Sequence, residues 1–101
     1  MAFLCLLELE LHLPENSDLK GKRRELTSLR AQLARRFGAA VAEVDHHDRW
    51  QRASLTVALV GRDAGHLADS ADHLQRYVDS RFGDWTRWDR SLLATDDLKD
   101  L

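Results

Sequence analysis

The sequence predicts an α+β domain of the split β-α-β type, with a four-stranded antiparallel sheet and two helices on one face. Three observations carry this. Apolar residues alternate with a period of two over residues 3–13 and again over 51–60. Two long segments, after Asp18 and after Asp63, repeat apolar residues at helical spacing. Turn and cap residues separate these segments into the order β-α-β-β-α-β.

In the first strand, Phe3, Cys5, Leu7, Leu9, Leu11 and Leu13 point one way, and Leu4, Leu6, Glu8, Glu10 and His12 the other. Pro14 ends it. Asn16, Ser17 and Asp18 can each cap a helix. Leu19, Leu26, Leu29, Leu33 and Phe37 then mark that helix's apolar stripe, and Gly38 closes it. Residues 39–47 read as a second strand through Val41 and Val44. Residues 51–60 read as a third, with Ala53, Leu55, Val57 and Leu59 on one face. The polar stretch between them makes a hairpin. Gly61 and Asp63 introduce a second helix, carried by Leu67, Ala71, Leu74 and Val78 and ended by Phe82 and Gly83. The alternation over 85–94 is weak, so a last strand there is the least defined element. Right-handed crossovers put both helices on one side of the sheet. The result is the ferredoxin-like arrangement, with strand order 4-1-3-2.

The chain has 101 residues, of which 44% are hydrophobic and 32% charged, a composition that excludes disorder. One domain over residues 1–94 is expected, followed by a polar, frayed tail over 95–101. A single cysteine, Cys5, excludes an internal disulfide and a cysteine-based zinc site, and its place in an apolar strand predicts a buried thiol. Residues 1–7 are apolar but lack a basic leader, and Glu8 and Glu10 interrupt the run. Neither a signal peptide nor a membrane span is expected, and a cytoplasmic location follows.

The net charge is −2, but it is unevenly spread. From Asp18 to Phe37 seven basic residues stand against two acidic ones, so the rest of the chain is acidic. Lys20, Lys22, Arg23 and Arg24 crowd the first two turns of the helix, where the backbone dipole favours anions. Gly21 weakens the same turns. Free amides with four cations could form an anion site; a solvated basic face is the alternative. Lys20, Arg24 and Arg35 share the outward side of the helix. Lys22 falls nearer the apolar stripe, so its stem can pack while its head reaches the end of the domain.

The chain directions place the start of this helix beside the hairpin Glu43-Val44-Asp45-His46-His47-Asp48-Arg49-Trp50-Gln51-Arg52. Asp45-His46-His47-Asp48 invites a metal reading. Adjacent strand residues point to opposite faces, however, and two ligands do not make a zinc site. No nucleophile, metal set or phosphate loop is visible, so an enzyme, such as a hydrolase using the His46 region, is not the leading reading. No cofactor is expected. Trp50 can stack on a base while Arg49 and Arg52 contact phosphate; packing against a sheet edge or a neighbouring chain is the alternative, as for Trp85 and Trp88. His66 and His73 fit an exposed helix face.

The sheet face without helices carries Leu4 and Leu6 beside Ala58 and Val60, which suggests a modest self-association patch. Its first and third strands place no aromatic there, so the base-stacking platform of RNA-recognition domains is absent.

The segments Leu9-Glu10-Leu11-His12-Leu13-Pro14, Leu19-Lys20-Gly21-Lys22-Arg23-Arg24-Glu25-Leu26 with Ser28-Leu29, Val41-Ala42-Glu43-Val44-Asp45-His46 and Trp50-Gln51-Arg52-Ala53 resemble the bacterial YlxP family, over residues 3–82. The resemblance implies a ferredoxin-like fold. Through the family's gene neighbours in translation initiation and ribosome maturation, it also implies an RNA- or ribosome-linked role. It carries over no catalytic residue. The segment from Trp85 to Leu93 is less strand-like than the family's final one.

The expected function is therefore a non-enzymatic binding module for RNA or a ribosomal surface. Lys20, Lys22, Arg23, Arg24, Arg49 and Arg52 are the anion-binding candidates. His46, Trp50, Gln51, Leu4 and Leu6 are the partner-binding candidates. The alternative is a homo-oligomeric interaction scaffold, most simply a dimer, with no nucleic-acid partner.

Overall fold

The computed structural model describes residues 1–99. It contains β1 (Phe3–His12), α1 (Leu19–Phe37), β2 (Ala40–Asp45), β3 (Arg52–Gly61), α2 (Ala64–Phe82), a 3-10 turn (Gly83–Trp85), β4 (Thr86–Ala94) and a one-turn helix α3 (Thr95–Leu98). The sheet is antiparallel throughout, in the order β2-β3-β1-β4, which is 4-1-3-2 read from the other edge.

Alternation in the sequence becomes two sheet faces. Cys5, Leu7, Leu9 and Leu11 on β1 and Ala53, Leu55, Val57 and Leu59 on β3 are buried, whereas Glu8, Glu10 and His12 are exposed. The buried set forms one cluster with Leu26, Leu29 and Leu33 of α1 and Leu67, Ala71, Leu74 and Val78 of α2. Both long helices therefore cover the same face. Burial of their apolar stripes is the main source of stability.

Helix ends follow the expected caps. The Asp18 carboxylate accepts the Gly21 N–H at 2.6 Å, and Asp63 accepts those of Gly65 and His66. Gly38 closes α1 at φ 66, a left-handed conformation that L side chains resist, and its N–H returns to the Ala34 carbonyl.

Four details differ from the sequence reading. β4 is a regular nine-residue strand, paired with β1 from Phe3↔Ala94 to Leu11↔Thr86. Its alternation is hidden because its helix-facing positions include polar side chains. Arg90 bonds Asp72 at 2.6 Å, Gln75 at 3.0 Å and the Ala68 carbonyl at 3.0 Å. Trp88 donates to Asp79 at 2.9 Å. These bonds replace apolar burial at an edge strand. β2 ends at Asp45, not 47, because the register shifts between Glu43 and Asp45, leaving Val44 exposed. A third helical segment occupies residues expected to be tail: the Thr95 N–H bonds the Ala2 carbonyl at 2.9 Å and starts the single turn of α3. The last two tail positions, 100 and 101, lie outside the described residues. Lys22, finally, is buried, as detailed below.

Cys5 is fully buried, and that burial pushes its thiol above its ordinary pKa, although Arg90 pulls the other way. Protonated and inaccessible, it is a structural thiol. Among the described residues no helix is long and apolar enough to cross a membrane.

Candidate functional site

The start of α1 and the β2–β3 hairpin meet at one end of the domain, joined by a set of hydrogen bonds. The Leu13 N–H bonds the Gln51 carbonyl at 2.8 Å. The Gln51 amide nitrogen reaches back to the Pro14 and Asn16 carbonyls, each at 3.3 Å. The Asn16 side-chain amide donates to the Trp50 carbonyl and to the Asp18 carbonyl. Gln51 thus braces the two segments through its amide nitrogen while the residue itself remains exposed. The role of Asn16 goes beyond the capping expected of it, because its bond to Trp50 depends on how far the hairpin reaches.

Lys22 does not stand on the cationic surface. It is 1% exposed, and its ammonium lies 2.7 Å from Glu43 Oε2 and 2.5 Å from the His46 carbonyl oxygen. On the helical wheel it falls among Leu26, Leu29 and Leu33, so its whole side chain is carried into the core, not the stem alone. Oε2 of Glu43 is buried and receives no hydrogen bond of good angular geometry; the nearby ammonium compensates its charge. Gly21 has a packing reason as well. A Cβ there would stand 2.5 Å from Asn16 Oδ1 and 3.0 Å from Asp18 Oδ1, so the glycine admits the two residues that brace and cap the helix.

The hairpin turns at His46, a left-handed residue at φ 63. Its N–H bonds the Asp45 carboxylate at 2.7 Å, and its carbonyl receives both Lys22 and the Arg49 N–H, the latter at 3.0 Å. A non-glycine residue in this region is uncommon and is held by its surroundings. The two imidazoles diverge. His47 Nε2 meets the Glu43 carbonyl at 3.1 Å, whereas His46 Nε2 stands 4.0 Å from Glu10 Oε2 on the open sheet face. Glu10 also accepts the Ser54 hydroxyl at 2.7 Å. Among the described residues no three His, Cys, Asp or Glu side chains gather as metal ligands.

Trp50 is 48% exposed at the tip, flanked by exposed Arg49 and Arg52. Lys20, Arg23 and Arg24 are exposed on α1. Among the described residues, no carboxylate lies within 4.0 Å of the charged nitrogens of these five cations. Exposed Glu15, Asp48 and Asp84 share the end with them, so its charge is mixed.

The sheet register adds residues that the sequence reading did not gather. Arg52 lies opposite His12, and Arg87 opposite Glu10. Trp85, 51% exposed on the 3-10 turn, meets the His12 ring edge-on at 5.3 Å. His12, Pro14, Asn16, Arg81, Phe82 and Trp85 line a cleft of about 340 Å³, with Arg81 held by Glu25 at 3.1 Å. The signal for Trp85 was the chain direction alone, which brings the end of α2 to this same pole. Leu4 and Leu6 do not join the hairpin. They lie at the opposite end of β1, paired with Val60 and Ala58.

A family model described as "Protein of unknown function (DUF503)" matches residues 4–90. No curated protein matches the sequence. Among solved structures the chain is similar to the de novo designed protein Foldit4. That likeness has a TM-score of 0.60 at 9% identity, covering 93% of this chain and 98% of that one. It bears on the fold alone.

Proposed function

We propose that this chain, which belongs to the DUF503 family, is a non-enzymatic binding module for RNA or a ribonucleoprotein surface. Its contact lies where α1 begins and the β2–β3 hairpin turns. The observation that supports this most is the gathering of Lys20, Arg23, Arg24, Arg49 and Arg52 at one braced end, exposed and without close carboxylate partners among the described residues. Unpaired cations on a rigid frame release phosphate counterions at little ordering cost. Half-exposed Trp50 adds a surface on which a base can stack. The likeness to YlxP proteins and the ferredoxin-like order of elements favour the same reading.

The test uses one cation from each converging element. Arg24→Glu with Arg52→Glu is expected to weaken binding of a structured RNA about 10-fold or more at moderate salt, and to lower co-sedimentation with ribosomes. Lys22 is unsuitable for this purpose because its replacement would disturb the fold. An unchanged affinity in the double variant, with an unchanged circular dichroism spectrum, removes the basic end as the site.

A second reading is favoured by the open sheet face. Val60 is 75% exposed there, beside half-buried Leu4, Leu6, Ala58 and Leu93. This apolar end suits pairing with a second copy of the chain. Sedimentation is expected to show a dimer that Val60→Lys dissociates; a wild-type monomer at high concentration would remove this reading.

A further inference from the structure

The outward face of α1 carries charge of one sign along its length. At 3.6 residues per turn, Lys20, Arg24 and Arg35 fall on the side away from buried Leu26, Leu29 and Leu33, Arg23 and Arg30 fall on the flank opposite Glu25, and all five are exposed. Thr27, Ala31 and Ala34 lie between them, also exposed, and make a low floor. The helix has one carboxylate, Glu25, which sits on the flank and is taken by Arg81 at 3.1 Å. Lys22 is buried and compensated by Glu43. Arg36 turns aside, bonding Gln32 and covering the Tyr77 ring at 4.6 Å. Among the described residues the five cations of this face have no carboxylate within 4.0 Å.

Such a face is unfavourable for the chain by itself. Lys20 and Arg24 stand at i,i+4, a spacing at which like charges repel. The five side chains cover about 22 Å of helix at 1.5 Å per residue. A nucleic-acid backbone is a dense array of phosphates, so a broad cationic face of that length meets several of them at once. No side chain on this face is aromatic, so it offers nothing on which an unstacked base could lie. It also lacks the large apolar residues that a membrane-seated helix needs. What it complements is a phosphate-lined surface approached closely over small residues.

We infer that the outer face of α1 is a track for the phosphate backbone of double-stranded RNA, contacted by Lys20, Arg23, Arg24, Arg30 and Arg35 without regard to base sequence. This rests on the RNA reading above and extends its path: from the start of α1 beside the hairpin end and on along the helix.

The test measures fluorescence anisotropy of a labelled RNA duplex, and of a single-stranded oligouridylate of equal length, over a series of KCl concentrations. Wild-type protein is expected to prefer the duplex. Arg30→Ala with Arg35→Ala, both remote from the hairpin, is expected to weaken duplex binding about 10-fold and to reduce the slope of log K against log salt by about 2. An unchanged slope in this variant, while Arg24→Glu with Arg52→Glu still weakens binding, overturns the track and leaves the RNA reading standing. Tighter binding to the single strand overturns the duplex assignment. Binding of polyglutamate but of neither RNA overturns both readings.

Discussion

Lys22→Met is expected to lower the free energy of unfolding by about 2–3 kcal/mol, somewhat below the full cost of breaking a buried ion pair because the Glu43 side chain keeps some exposure. Met is close to the length of lysine and keeps the packing against the apolar stripe, so the loss is electrostatic. One group is orphaned, the buried Glu43 Oε2, while the His46 carbonyl loses one of its two donors and retains the Arg49 N–H. His46 is also released. Its left-handed conformation costs about 1 kcal/mol and persists only while its surroundings hold it. The second variant isolates the cause. Lys22→Met with Glu43→Gln removes both charges, and most of the lost stability should return, because replacing a whole buried pair is far cheaper than breaking one. Urea unfolding of the single and double variants gives the coupling directly. A single variant within about 0.5 kcal/mol of wild type, the range of ordinary surface changes, would mean that Lys22 is solvated in solution.

That lysine also marks where the sequence was legible and where it was not. Its angle on the helix, among Leu26, Leu29 and Leu33, was readable and pointed inward. Its partner was not. Glu43 faces the helices by the same alternation as Val41, but nothing local in β2 announces that a lysine of α1 meets it there. The run Lys-Gly-Lys-Arg-Arg therefore shows one cation leaning inward, but not that its head is a structural tie rather than a surface charge. The meeting of α1 with the hairpin was legible for a different reason. It follows from strand direction and crossover handedness, which do not depend on side-chain detail. The last strand was obscured for the opposite reason. Trp88 and Arg90 face the helices and are satisfied by Asp79, Asp72 and Gln75 of α2, so the alternation is polar where a core strand would be apolar. Periodicity registers burial of carbon; it does not register hydrogen bonds between distant segments. The contact between Trp85 and His12 is missed in the same way.

Leu29→Ala is expected to cost about 3 kcal/mol or more, whereas Arg30→Ala, one residue along, should stay within about 0.5 kcal/mol of wild type. Leu29 is fully buried in the single core cluster shared by α1, α2 and the sheet, and truncating it removes apolar contact and leaves a cavity that packed neighbours fill only in part. Arg30 points to solvent and has no carboxylate partner within 4.0 Å among the described residues. One helix thus divides its work by angle: the inner side secures the fold and the outer side is free to vary in charge. This division is what lets the RNA track be tested at all, since outer-face variants should lose binding without losing structure. Thermal unfolding of the two single variants checks it. Comparable destabilisation by Arg30→Ala would show that the outer face is engaged within the chain, and the free cations argued for above would have a structural occupation instead.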